Sequence, residues 1–194
     1  MKLKKILLGA VLVLASSISN AGLITASDVT ASSTFFSYNV DNLINGSGLS
    51  GAEHSGNFVN KWMTDGTVTG VLTFDLGAIF DISSSSIWNY GGGCCGTGRS
   101  VKDLGIEGSL DGVTYFTIGD FVLNESAGTP IFSETIALNT TAQYLKFNLN
   151  SNYGDTFTGL SEVQFDGVIS SVPEPTSIAL FSLCLALIGF SRKK

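Results

Sequence analysis

Val71-Leu72-Thr73-Phe74-Asp75-Leu76-Gly77 is the stretch that decides how this chain folds. Leu72, Phe74 and Leu76 fall on one face of an extended segment, and Val71, Thr73 and Asp75 fall on the other. Period-two alternation of this kind marks a strand packed on one side. Tyr144 to Leu149 repeats it, with Leu145, Phe147 and Leu149 set against Tyr144, Lys146 and Asn148. Further strands are predicted near Ile24, across Ile82–Tyr90, Val101–Leu110, Val113–Ile118 and Ile131–Leu138, and last at Glu162–Phe165. Asp75-Leu76-Gly77 is expected to close its strand in a turn, and Asp111-Gly112 to join two strands as a hairpin. Gly91 to Gly98 reads as a glycine loop too flexible to hold a strand or helix by itself. No convincing helical period and no solenoid repeat lies between residues 22 and 171. Many short strands with glycine turns give an all-β fold, an antiparallel sandwich or barrel.

Both ends of the chain are built differently. Lys2, Lys4 and Lys5 precede an apolar core from Ile6 to Ala15, and Ser19-Asn20-Ala21 offers small residues before Gly22. That order is a secretory signal peptide over residues 1–21. At the other end, Val172-Pro173-Glu174-Pro175 punctuates the chain, an uncharged run from Ile178 to Phe190 follows, and Arg192-Lys193-Lys194 ends it. The run could form a short apolar helix, stopped by basic residues at a cytoplasmic face. It is shorter than the ~20 residues of a comfortable span. Two readings stand, a transient anchor handled by a protease and a retained single-span anchor.

Residues 22–171 between these ends are enough for one domain with a real core. They hold four basic residues (Lys61, Arg99, Lys102 and Lys146) against fifteen acidic ones, a net charge of −11 where the whole chain carries −6. Such a surface repels nucleic acid and anionic lipid and suits neutral ligands or divalent cations. One histidine, His54, and no nucleophile elbow, phosphate loop or metalloprotease helix argue for a protein that is not an enzyme. Cys94 and Cys95 are adjacent, so a disulfide between them would close a small strained ring. A vicinal disulfide stiffening the loop and intermolecular crosslinks are both open readings in an oxidising compartment.

Two resemblances follow from these residues. Pro173-Glu174-Pro175, the apolar run and the basic end resemble the PEP-CTERM sorting signal of Gram-negative bacteria. This resemblance implies export, an exosortase as partner, cleavage near Pro173–Pro175, an inner-membrane intermediate, and delivery to the cell surface or extracellular matrix. Upstream, Asn42-Leu43-Ile44-Asn45-Gly46, Trp62, Phe74-Asp75-Leu76-Gly77, Gly108-Ser109-Leu110-Asp111-Gly112 and Gly159-Leu160-Ser161-Glu162-Val163 are similar to the successive signposts of a discoidin, or coagulation-factor C-type, domain. This resemblance implies a galactose-binding-like jelly-roll β-sandwich across Ile24 to Gly167, with Trp62 in its core.

Members of that family often carry a structural calcium ion between the first loop and the final strand. Carried over, this nominates Asp41, Asn45, Ser50 and Glu162. Asn45 stands where the family usually has aspartate, which removes a charge; a turn with a solvated carboxylate is the competing reading. Sugar binders of the fold use aromatic rings, amides and charged groups in end loops, which points to Trp88, Asn89, Tyr90, Arg99, Asn152 and Tyr153. Taken singly, Trp88 reads better as a core residue with Tyr90 at its edge; it is as a group that these residues mark the best patch on offer. The expected function is a surface or matrix module that binds extracellular polysaccharide. A structural matrix protein without small ligand, assembling through calcium or Cys94-Cys95, is the alternative.

Overall fold

The computed structural model describes residues 21–92 and 96–170. The expected signal peptide up to residue 20, Cys94 and Cys95, and the expected sorting tail with Pro173, Glu174 and Pro175 lie outside the described residues. No helix among the described residues is long and apolar enough to cross a membrane.

Ten strands, β1 (Gly22–Ile24), β2 (Asp28–Ala31), β3 (Leu49–Ser50), β4 (Glu53–His54), β5 (Trp62–Met63), β6 (Gly70–Asn89), β7 (Asp103–Ser109), β8 (Phe116–Val122), β9 (Ile131–Leu149) and β10 (Gly159–Ile169), pair antiparallel throughout. Among the described residues helix is confined to two single 3-10 turns, Val40–Leu43 and Phe58–Asn60, each capped by the side chain of the preceding asparagine, Asn39 or Asn57.

The two alternating stretches belong to long strands that serve both layers. The first half of β6 pairs with β2 and with the second half of β9, which continues to β7 and β8. The second half of β6 pairs with β10 and with the first half of β9, which continues to β4 and β3. The switch falls where the β6–β9 register breaks between Asp75 and Phe80. Gly77 sits there at φ +79°, a conformation open to glycine, and Asn139 at φ +46° lies close by on β9. Asp75-Leu76-Gly77 therefore bends a continuous strand and does not end it, because the bulge turns one sheet into the other with no loop between. Likewise β8 begins at Phe116 where Val113 was expected, because Asp111 Oδ1 accepts the N–H groups of Val113 and Thr114 and holds them in the turn.

The inward faces are those the alternation marks. Leu72, Phe74, Leu145, Phe147 and Leu149 are buried, as are Ile87, Val163 and Phe165 from the second layer. Phe165 meets Phe74 and Phe147 edge-on, with ring centroids 5.3 and 6.1 Å apart, so the two sheets face one another as a jelly-roll sandwich. Trp62 is fully buried and donates Nε1–H to Thr34 Oγ1 at 3.0 Å.

Candidate functional site

One end of the sandwich gathers aromatic rings from four separate stretches. Phe35, Phe36 and Tyr38 come from the loop after β2, Phe58 from the second 3-10 turn, Phe157 from the loop before β10, and Tyr90 from the end of β6. Phe35 packs edge-on against Phe157 at 5.1 Å and stands 6.1 Å from Tyr38, which is itself 6.1 Å from Phe58. Phe36 is 92 % exposed and adopts φ +39°, a left-handed conformation that bulky side chains avoid. Strain held in a solvent-facing aromatic loop is characteristic of binding surfaces.

Charged groups fix this end from below. Arg99 Nε bonds Asp155 Oδ2 at 3.2 Å, and the guanidinium lies 5.1 Å from the Phe157 ring and 5.9 Å from Tyr90. Burial opposes the charge on Arg99, but bonds to Tyr90 and Asp155 hold its proton more tightly than usual. Burial likewise works against the Asp155 carboxylate, and the Phe157 N–H and Arg99 outweigh it and keep its pKa low. Lys61 is fully buried with its Nζ 4.6 Å from the Tyr90 ring, donating to the Gly56 and Gly91 carbonyls. Burial alone pushes its pKa down to about 8. The glycine loop is thus anchored at its start: a Cβ on Gly92 would meet Thr129 Oγ1 at 1.8 Å, so only glycine fits that approach.

The residues nominated from sequence divide. Arg99 and Tyr90 belong to this end, although Tyr90 is 3 % exposed and supports the surface from beneath. Trp88 is 5 % exposed, with Nε1–H bonded to the Ala52 carbonyl, and its ring is part of the framework. The Asn89 amide is consumed by Val101 and Asn124 on one side and by the N–H groups of Val101 and Tyr90 on the other. Asn152 gives its amide protons to Asp155, Phe157 and Thr158, so it shapes the loop that carries Phe157. Tyr153 bonds the Leu123 carbonyl at 2.6 Å. Phe36, Phe58 and Phe157 were missed as site residues, because the meeting of two exposed rings and a half-buried one depends on which loops converge.

The loop-to-last-strand corner differs in kind. Glu162 is 1 % exposed, its Oε1 accepts the Gly46 N–H at 3.2 Å, and its Oε2 has no partner. Burial raises its pKa to about 7 against the pull of Gly46. A cavity of about 260 Å³ takes in Asn45, Gly46 and Glu162 but neither Asp41 nor Ser50. Asp41 is exposed within the first 3-10 turn and Ser50 is exposed in β3. Among the described residues no three His, Cys, Asp or Glu side chains converge on one point. The orphaned Glu162 oxygen suits a hard cation, and Asn45 borders the same cavity, with its Oδ1 accepting the Ser47 N–H at 2.8 Å. His54 is buried too, with Nδ1 on the Ser55 carbonyl, and burial keeps its pKa below the ordinary value.

The sequence profile of the F5/8 type C domain matches residues 28–163. The chain belongs to the F5/8 type C domain family. Residues 171–194 match the PEP-CTERM protein-sorting motif. Curated protein sequences give no match. Solved structures similar to this F5/8 type C domain include the family 32 carbohydrate-binding module of Clostridium perfringens NanJ in complex with galactose. That module is 15 % identical with a TM-score of 0.59, over 76 % of this chain and 99 % of the other. The corresponding module of AlyQ, in complex with 4,5-unsaturated mannuronic acid, is 20 % identical with a TM-score of 0.54, over 74 % and 97 %. The lectin-binding domain of Lectinolysin, complexed with Lewis b, is 15 % identical with a TM-score of 0.57, over 76 % and 96 %. The jelly-roll fold of the F5/8 type C family is therefore shared with these modules.

Proposed function

We propose that this F5/8 type C chain is an exported, non-catalytic module that binds polysaccharide with the aromatic end of its sandwich. The observation that carries this reading is the pair of exposed rings Phe36 and Phe58, with half-buried Phe157 set beside the Arg99–Asp155 pair. A sugar's C–H face stacks on such rings while a fixed guanidinium and carboxylate bond its hydroxyls. Sugars in three similar structures support the same reading. Trp88, Asn89, Asn152 and Tyr153 serve it as the layer that holds the loops.

The sorting motif supports delivery to the envelope of a Gram-negative bacterium, with an exosortase acting near Pro173, Glu174 and Pro175 and the apolar run serving as a passing membrane anchor. Calcium, where bound, is structural: Glu162 and Asn45 would hold it with loop carbonyls, and it would neutralise the buried carboxylate.

The test is a glycan array probed with the full-length chain and with Phe157→Ala. Binding to a defined set of glycans, lost in Phe157→Ala while that variant still melts cooperatively, is the expected result. No binding to any glycan, including the producer's own polysaccharide, overturns the reading.

A further inference from the structure

A second surface lies on the outward face of the sheet formed by β2, β6, β9, β7 and β8. In register across it stand Asp120 of β8, Gly105 of β7, Asn148 of β9 and Val71 of β6. Gly105 leaves a gap in this row of side chains. A Cβ there would come within 3.2 Å of Asp120 Oδ1, 3.4 Å of Asn150 Nδ2 and 3.7 Å of Asn148 Cβ. The gap opens a groove of about 520 Å³. Its donors and acceptors are held in place, since Asn148 Nδ2 bonds Glu107 Oε2 at 3.2 Å and Lys146 Nζ lies 3.7 Å from the same oxygen.

The same face carries a second hollow of about 350 Å³ bordered by Thr73, Asp75, Tyr115 and Tyr144. Lys146 stands between the two, its Nζ 3.4 Å from the centre of the Tyr115 ring. Asn148 and Tyr144 are four residues apart on β9, which places the hollows about 13 Å apart along the strand. That span exceeds a single sugar ring. Tyr144 at one end offers a stacking face, Tyr115 beside it carries Lys146 on its ring, and hydroxyl, amide and carboxylate groups fill the rest. Charge narrows the occupant. Asp28, Asp75, Asp111, Glu107 and Asp120 border the two hollows, and among the described residues Lys146 is the one cation set between them. An acidic polymer would be repelled here.

We infer that this sheet face is a second binding groove, taking an extended, uncharged polysaccharide chain independently of the loop end. The inference rests on the carbohydrate reading of the protein and adds a site to it. A molecule with both sites would hold one polymer at two places, or bridge two polymers, and so gain avidity from modest individual affinities.

Affinity electrophoresis of the full-length chain through gels holding a neutral β-glucan, a galactan or a xylan tests it. Gly105→Gln fills the groove without adding charge, Tyr144→Ala removes a stacking face, and Phe157→Ala disables the loop end. On a polymer that retards the parent, Gly105→Gln and Tyr144→Ala should each weaken retardation at least tenfold while monosaccharide binding stays as in the parent. Phe157→Ala should keep part of the polymer binding. Thermal melting shows which variants fold; Tyr144→Ala carries the test if Gly105→Gln does not. If Phe157→Ala loses all retention and both groove variants match the parent, the groove is refuted and the loop-end reading stands. If the groove variants lose retention and Phe157→Ala matches the parent, the groove stands and the loop end fails. A parent retarded by none of these polymers refutes the groove.

Discussion

The phenolic oxygens of Tyr38 and Tyr90 lie 3.1 Å apart, tying the loop after β2 to the end of β6. Tyr90 is in turn flanked by Lys61 and Arg99, so this one contact couples the exposed ring cluster to the buried cations beneath it. Tyr38→Phe removes the bond and leaves the nearly buried Tyr90 hydroxyl with Arg99 as its remaining partner. Stability should fall by about 1 kcal/mol, read by urea unfolding. Glycan affinity should fall with it as Phe35 and Phe36 lose their anchor.

Lys61 sets a pH dependence. Its folded pKa is lowered to about 8, so between about pH 8 and its unfolded value of 10.5 the unfolded chain binds the extra proton. Stability should therefore rise with pH across this window, and the cost of the buried charge should be fully present below it. Burial and the Tyr90 bond raise the Tyr38 hydroxyl, which reverses the trend above about pH 10. Lys61→Met should flatten the rise between pH 8 and 10; a slope identical to that of the parent would rule Lys61 out as its source.

Phe36 separates binding from stability. Its left-handed backbone costs on the order of 1 kcal/mol that glycine would not incur. With 92 % of its surface exposed it has little packing to lose. Phe36→Gly should melt at or slightly above the parent temperature while binding glycan several-fold more weakly. A variant that binds as the parent does would remove Phe36 from the site.

Calcium is checked at Glu162. Adding the ion to chelator-treated chain should raise the melting temperature, with a gain of about 2.7 kcal/mol at a hundred times its dissociation constant. Glu162→Gln should abolish that response, and Asp41→Asn should leave it intact, since Asp41 does not line the cavity.

At the centre of the sandwich, Phe165→Ala should cost about 3–5 kcal/mol, because it opens a void against Phe74 and Phe147 that the two sheets cannot close. Denaturant unfolding measures it directly.

How much of this was legible beforehand depends on the range of the physics involved. Alternation at Leu72, Phe74 and Leu76 and at Leu145, Phe147 and Leu149 determined which faces are buried, since side-chain direction along a strand is a local property. Trp62 in the core and the Asp111 turn were legible for the same reason. The acidic balance and the signatures of the two ends also needed only the chain itself. The long strands were not legible: Gly77 reads as a stop in sequence, and only pairing with β9 shows it as a bend. Trp88 and Asn89 carry the residue types of a sugar site, yet tertiary bonds to Ala52, Val101 and Asn124 claim them. Phe36 and Phe58 stand at the surface and Phe157 is half-buried beside Phe35, which nothing in their local sequence marks. What a ring faces is decided by stretches more than a hundred residues apart arriving at one end of a sandwich, and no local pattern encodes that meeting.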